Sequence, residues 1–513
     1  MKVLASEREE VLDEIIHWDS FITPFRPLRI PADILSEIFR IFVIEDGGSP
    51  WTLTGVSRVF RRTALSTPRI WGGISLWGKE KYITGSQEWY RPVLRGVRWE
   101  FGKENCCNAK QLSEALKRAR GAPLDLAIHC GGSHEATISD KAKGMIAMVA
   151  GDHLSQWRSL EFAVQDNWDL GDIFSGSLEG LMFLRLNSFH QDLYNCLCKT
   201  ARYLRNVEIY IRNQPLSKLA NAPWWRHIHR LLLEVPYRQT GPLDLMNAHQ
   251  IQCGSAVDIL SKAVELEDLI VQIEFPFALA PVKKPIHFPR LKRLALKASI
   301  ALLGALSAPL LTHLEIKSGG WNFESTLDPN TIFFPSVTHL SVFSSEPAVL
   351  ASLHCPSLVQ LCLGPESGHG QKYINDRMIT SAWDPDNDPE RLLKPSVLRI
   401  ENLVFTWTVL RDLLRLSLHD CLRELSLVDS PLPKSFFKAL MAVSRSTVIC
   451  GDLEKLSVIY ESGLYTGKRT MGWSDGREIL KSILTLRKEQ NLGLRRVIAQ
   501  WPRQPRVEFS DDS

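Results

Sequence analysis

The stretch FPRLKRLAL, residues 288–296, returns three times in altered form: APLLTHLEI (308–316), FPSVTHLSV (334–342) and CPSLVQLCL (355–363). Each block reads apolar, proline, one residue, then apolar–x–x–apolar–x–apolar. The first anchors of that run are Leu291, Leu311, Val337 and Leu358, spaced 20, 26 and 21 residues apart. In a chain that is 44% hydrophobic, the apolar template alone arises often by chance. The proline does not. With 28 prolines in 513 residues, four matches in one place have a chance of roughly one in a hundred thousand, so the sequence repeats internally.

Weaker copies start at Trp157, Leu181, Leu204, Ile228 and Leu266 upstream, and at Leu422 and Leu453 downstream. The long gaps from 228 to 266 and from 358 to 422 hold insertions or degenerate units. Alternation within each block predicts a strand, and no single block can bury its apolar side alone. Stacked blocks would form a parallel sheet with Leu294, Leu314, Leu340, Leu361, Leu425 and Leu456 in one buried row. The blocks resemble leucine-rich repeats, with one departure. Ser299, Gly319 and Glu366 stand where that pattern usually has asparagine or cysteine. The expectation is an irregular leucine-rich-repeat solenoid over 151–500.

If the anchors face inward, the residues between them face the opposite, concave side. Arg293, His313, His339, Gln360, Glu424 and Lys455 then form one column, and Glu315 belongs to the next. Mixed charges with small residues suit a protein target better than a nucleic-acid backbone, which would want a basic strip.

Bulk numbers agree. The chain carries 61 Lys and Arg against 57 Asp and Glu, for a net charge of +4. That balance argues for neither nucleic acid nor membrane as partner. Ten scattered cysteines form no framework, and there is no Asn-x-Ser/Thr site. Both readings fit an intracellular protein of the cytoplasm or nucleus with free thiols. No apolar signal core opens the chain, and no stretch is long enough to span a bilayer.

The motifs of known chemistry fail on inspection. Gly467-Lys468 in YTGKRTMG lacks both the glycine spacing and the hydroxyl residue of a phosphate loop. Asp384, Asp386 and Asp388 begin like a calcium loop, but Pro389 and Pro395 occupy the glycine and glutamate positions. His227, His229, His249 and Cys253 lack the paired spacing of a zinc site. Cys196 and Cys198 make no CxxC pair. No catalytic residue, metal or cofactor is expected.

The N-terminal region reads differently. A charged helix is expected over 5–18, then RIPADILSEIF (29–39) with Pro31 at its first helical position and Asp33 in the first turn. A second helix is expected from about Thr52 to Ser66, with Leu53, Val56, Phe60 and Ala64 on one face. The spacing also predicts a helix over 109–120 and a strand in LDLAI, with a polar loop at 384–390.

PLRIPADILSEIFRIFV followed by WTLTGVSRVFRRTALSTPRIWGGISL resembles an F-box, most closely the F-box-like proteins of mushroom-forming fungi. The carrying elements are Ile30-Pro31, Ile34-Leu35, Ile38-Phe39, Val56-Ser57-Arg58, Phe60, Arg61-Arg62, Pro68 and Trp71. Isoleucine replaces the common leucine at 30, and Phe60 stands where tryptophan is usual. The flanks 7–29 and 111–128 resemble the segments around such a box. The implied architecture is α/β. It comprises an N-terminal helix and linker (1–26), an all-helical F-box (27–76), a linking α/β region (77–150), the solenoid (151–500) and a disordered tail (501–513).

The resemblance implies a substrate-recognition subunit of a Skp-cullin-F-box ubiquitin ligase, itself non-catalytic. Ile30, Pro31, Ile34, Leu35, Ile38, Phe39, Val56 and Phe60 would dock on the Skp adaptor, and through it a cullin. The sheet would hold an unknown target protein. A scaffold using box and repeats without ligase activity, and an enzyme on a repeat fold, are the alternatives.

Overall fold

A computed structural model describes residues 30–45, 48–77, 97–100, 109–130, 140–164, 171–187, 189–210, 216–235, 254–273, 285–297, 300–317, 332–343, 349–350, 352–364, 393–401, 414, 418, 421–430, 452–459, 473–489, 494–500 and 506–510. The expected helix over 5–18, the loop at 384–390 and the YTGKRTMG segment lie outside the described residues. The chain divides into two compact units, Met1–Leu160 and Glu161–Ser513.

In the first unit, α1 spans Ala32–Arg40 and runs into a π-helical turn at Ile41–Glu45. The single helix expected over 52–66 is two helices, α2 (Pro50–Val56) and α3 (Arg58–Ser66). Ser57 breaks it. Its backbone is fully extended, and its hydroxyl accepts from Phe60 N at 3.1 Å. A serine that caps the next helix competes with continuing the previous one. Ser49 caps α2 in the same way, with Pro50 at the first position. Behind the helices, Phe39 packs on Phe60 with ring centroids 5.0 Å apart, and Trp51 meets Trp71 edge-on at 4.9 Å. The Arg118 guanidinium, from helix Ala109–Ala119, lies 4.5 and 4.6 Å from those two indole rings.

Strand Gly73–Trp77 pairs in parallel with Val97–Glu100 and Leu124–Cys130. Gly72 is required at the entry to this pairing. A Cβ there would stand 2.6 Å from the Pro123 carbonyl oxygen.

The second unit is built on a long, mostly parallel sheet, so the chain is α/β. From Phe183–Leu186 to Arg496–Gln500, each strand of the ladder pairs with the next long strand in the chain. The blocks explain the ladder's geometry. The apolar residue before the proline (Phe288, Ala308, Phe334, Cys355) is buried. The proline opens a turn that closes between that residue's carbonyl and the first anchor's N–H, as in Leu311 N to Ala308 O at 3.2 Å. One carbonyl then receives two N–H groups from the following strand. Lys292 O accepts from Thr312 and His313, and Thr312 O from Thr338 and His339. Leu294, Leu314, Leu340, Leu361, Leu398, Leu425 and Leu456 stand side by side in register, all buried. Each contributes about 1.5–3 kcal/mol of burial.

Of two further strands, one is the degenerate unit expected between 358 and 422 and the other departs from expectation. Val397–Glu401 fills the gap between 358 and 422. There Pro395 itself occupies the first-anchor place and is buried, which hides the block from the template. Within the tail expected to be disordered, Val507–Ser510 is a strand antiparallel to Arg496–Gln500. An exposed Arg496–Glu508 ion pair at 2.5 Å spans the two strands. Among the described residues no helix is long and apolar enough to cross a membrane.

Candidate functional site

The apolar stripe of α1 is split between two faces. Leu35 N bonds Pro31 O at 3.0 Å, which starts the helix. Leu35 and Phe39 are 4% and 1% exposed, so they are core. Ile34 and Ile38 lie four residues apart on the other side of the helix, and Ile30 is exposed just before its N-cap. Ile34 is 52% and Ile38 46% exposed. The break at Ser57 turns Val56 out of the face expected for it, to 59% exposure, and Val59 of α3 is exposed as well. Pro31 is exposed and Phe60 half-buried. Single exposed apolar side chains are ordinary, but two isoleucines one turn apart on a helix, with Ile30 exposed ahead of it, make a surface of the kind that partners cover.

The sheet's non-core face carries the second group of candidates. Arg293, His313, His339, Gln360, Val397, Glu424 and Lys455 form one register row. Lys455 Nζ donates to Glu424 Oε2 at 2.7 Å. Glu315 lies in the adjacent row and pairs with Lys317 at 2.5 Å. The His313 and His339 rings stack at 4.3 Å, 6° from parallel. Burial, then His339 and Arg293, hold the His313 imidazole below its ordinary pKa.

Sequence reasoning missed a buried polar cluster on the same sheet. Arg185 Nε donates to Glu208 Oε2 at 2.7 Å, and its Nη1 reaches Glu161 Oε1 at 3.4 Å. All three are buried, and Tyr210 donates to Glu208 at 3.3 Å. Burial works against the Arg185 charge, yet the two carboxylates outweigh it and raise the guanidinium's pKa. Burial likewise pushes the Tyr210 hydroxyl up. Alternation marks these residues as facing away from the core, but not that they are covered.

His229 accepts from Arg205 Nη1 at 2.7 Å and lies 3.6 Å from Glu265. Cys196 and Cys198 are free thiols on helix Gln191–Thr200, with burial raising both. Among the described residues no three His, Cys, Asp or Glu side chains gather to hold a metal. No family model matches the chain, and no curated protein matches it.

Proposed function

We propose that this chain is the substrate-recognition subunit of a Skp-cullin-F-box ubiquitin ligase. In this reading the helices over 27–76 are an F-box, and the sheet over 151–500 is an irregular leucine-rich-repeat solenoid that holds a target protein. The chain carries no catalysis itself. The observation that supports the docking most is the division of α1. Leu35 and Phe39 anchor the helix from behind, which leaves Ile30, Ile34 and Ile38 presented outward with Val56 nearby in sequence on α2. Desolvated apolar anchors of this kind carry most of the energy of a protein interface.

The burial decides which variant tests the reading. Leu35→Asp would place a carboxylate in the core and unfold the helices, so its loss of binding would say nothing about docking. Ile34→Asp with Ile38→Asp changes the exposed face alone. The double variant should lose roughly a thousandfold in affinity for the Skp adaptor, at about 2 kcal/mol per anchor. Its melting temperature should stay unchanged, and the cullin should be lost with the adaptor. Co-precipitation of adaptor and cullin at the parent level would sink the assignment.

A further inference from the structure

The stacked histidines have their protons fixed by their neighbours. Thr312 Oγ1 donates its only hydrogen to Lys292 O at 3.0 Å. Its contact with His313 Nδ1 at 2.9 Å must therefore be an Nδ1–H donating to the hydroxyl oxygen. Thr338 repeats the arrangement. It donates to Thr312 O at 3.2 Å and accepts from His339 Nδ1 at 2.9 Å. In both neutral rings Nε2 is then a bare lone pair. The two rings that carry these lone pairs stack nearly parallel, 4.3 Å apart.

The charges around the stack are unequal. Arg293 is the next residue in the row, exposed, and in no ion pair among the described residues. The acids that face this region are engaged elsewhere. Asp268, the register neighbour of Arg293 on the side away from the stack, lies 3.6 Å from Arg230; Glu267 bonds Lys292 at 2.8 Å, and Glu315 bonds Lys317. Beyond His339 the row continues with neutral Gln360. A cation would meet the guanidinium beside the lone pairs and be repelled. An anion would meet the guanidinium, and protonation would turn each Nε2 into a donor aimed at it.

We propose that Arg293, His313 and His339 form a proton-linked site for an anionic oxygen group of the target protein, a side-chain carboxylate or a phosphate monoester. The inference rests on the reading of this sheet face as the target surface. Arg293 supplies the standing charge. Each imidazole takes one proton from solvent at Nε2 when the anion arrives, and the anion offsets the repulsion between the stacked rings. Binding therefore tightens as pH falls.

The test uses the full chain and two labelled peptides of equal length, one with four glutamates and one with a phosphoserine. Fluorescence polarisation at about pH 7.5 and about pH 6.0 should show at least a roughly tenfold gain in affinity at the lower pH for one peptide, because one linked proton changes affinity up to about tenfold per pH unit. Whichever peptide responds names the source of the anion. His313→Gln with His339→Gln should flatten the dependence, and Arg293→Gln should weaken binding at both pH values. A measurement without variants is calorimetry of the parent in two buffers of different ionisation enthalpy, where proton uptake appears as a difference in apparent heat. The proposal falls if neither peptide responds to pH, if the response survives in the double histidine variant, or if no proton is taken up. Adaptor capture is read separately on the N-terminal helices. A chain that captures the adaptor but ignores both peptides refutes this site alone, and the converse result refutes the ligase reading alone.

Discussion

Cys355 shows how one side chain reports its surroundings. It is the residue before the proline of its block, and it is buried under the turn. Burial pushes its thiol from 9.0 up to about 12. Above pH 9.0 an unfolded chain would release this proton while the folded one keeps it. Unfolding is then favoured by rising pH, and the neutral thiol's contribution to stability is lost progressively toward about pH 12. Urea unfolding at about pH 8 and about pH 10.5 should show the parent losing up to about 2 kcal/mol more than Cys355→Ala between the two. Equal losses in the two proteins would mean that the thiol ionises as it does in water.

Ser57 decides the boundary between α2 and α3. Its hydroxyl holds the Phe60 N–H, and Arg61 Nε reaches back to Thr54 O at 2.8 Å across the break. Ser57→Ala should cost about 1 kcal/mol through loss of the cap, read as a lower melting temperature. An unchanged melt would show that packing alone sets the break. Elements of this kind were legible only in part. The blocks could be read because every position is constrained at once: an apolar residue under the turn, a proline in it, and anchors at period two beyond it. Val397–Glu401 could not be read, because Pro395 fills an anchor place that the template gives to an aliphatic residue. The split at 57 could not be read because serine suits both a helix interior and a cap, and tertiary packing chooses. Among the site residues, spacing alone put Arg293, His313 and His339 in one row. Their stacking and proton placement depend on hydroxyl contacts to Thr312 and Thr338 that no spacing encodes.

At the scale of the whole molecule, the last parallel strand matters most. Arg496–Gln500 would present an open row of N–H and C=O groups if Val507–Ser510 did not cover it. Open strand edges recruit other chains. Deleting residues 506–513 should therefore produce concentration-dependent association in sedimentation or light scattering, while the parent stays monodisperse. A deletion variant that remains monodisperse at the same concentration would show that the edge needs no cover. The ladder also has a consequence for synthesis. Because each long strand bonds to the one that follows it in the chain, no strand waits for a partner made much later. The sheet can grow in the order in which the ribosome delivers it, each new strand docking on an edge already in place. Sequence-local pairing of this kind lowers the loop-closure cost of every step and shortens the time any edge stays open during translation.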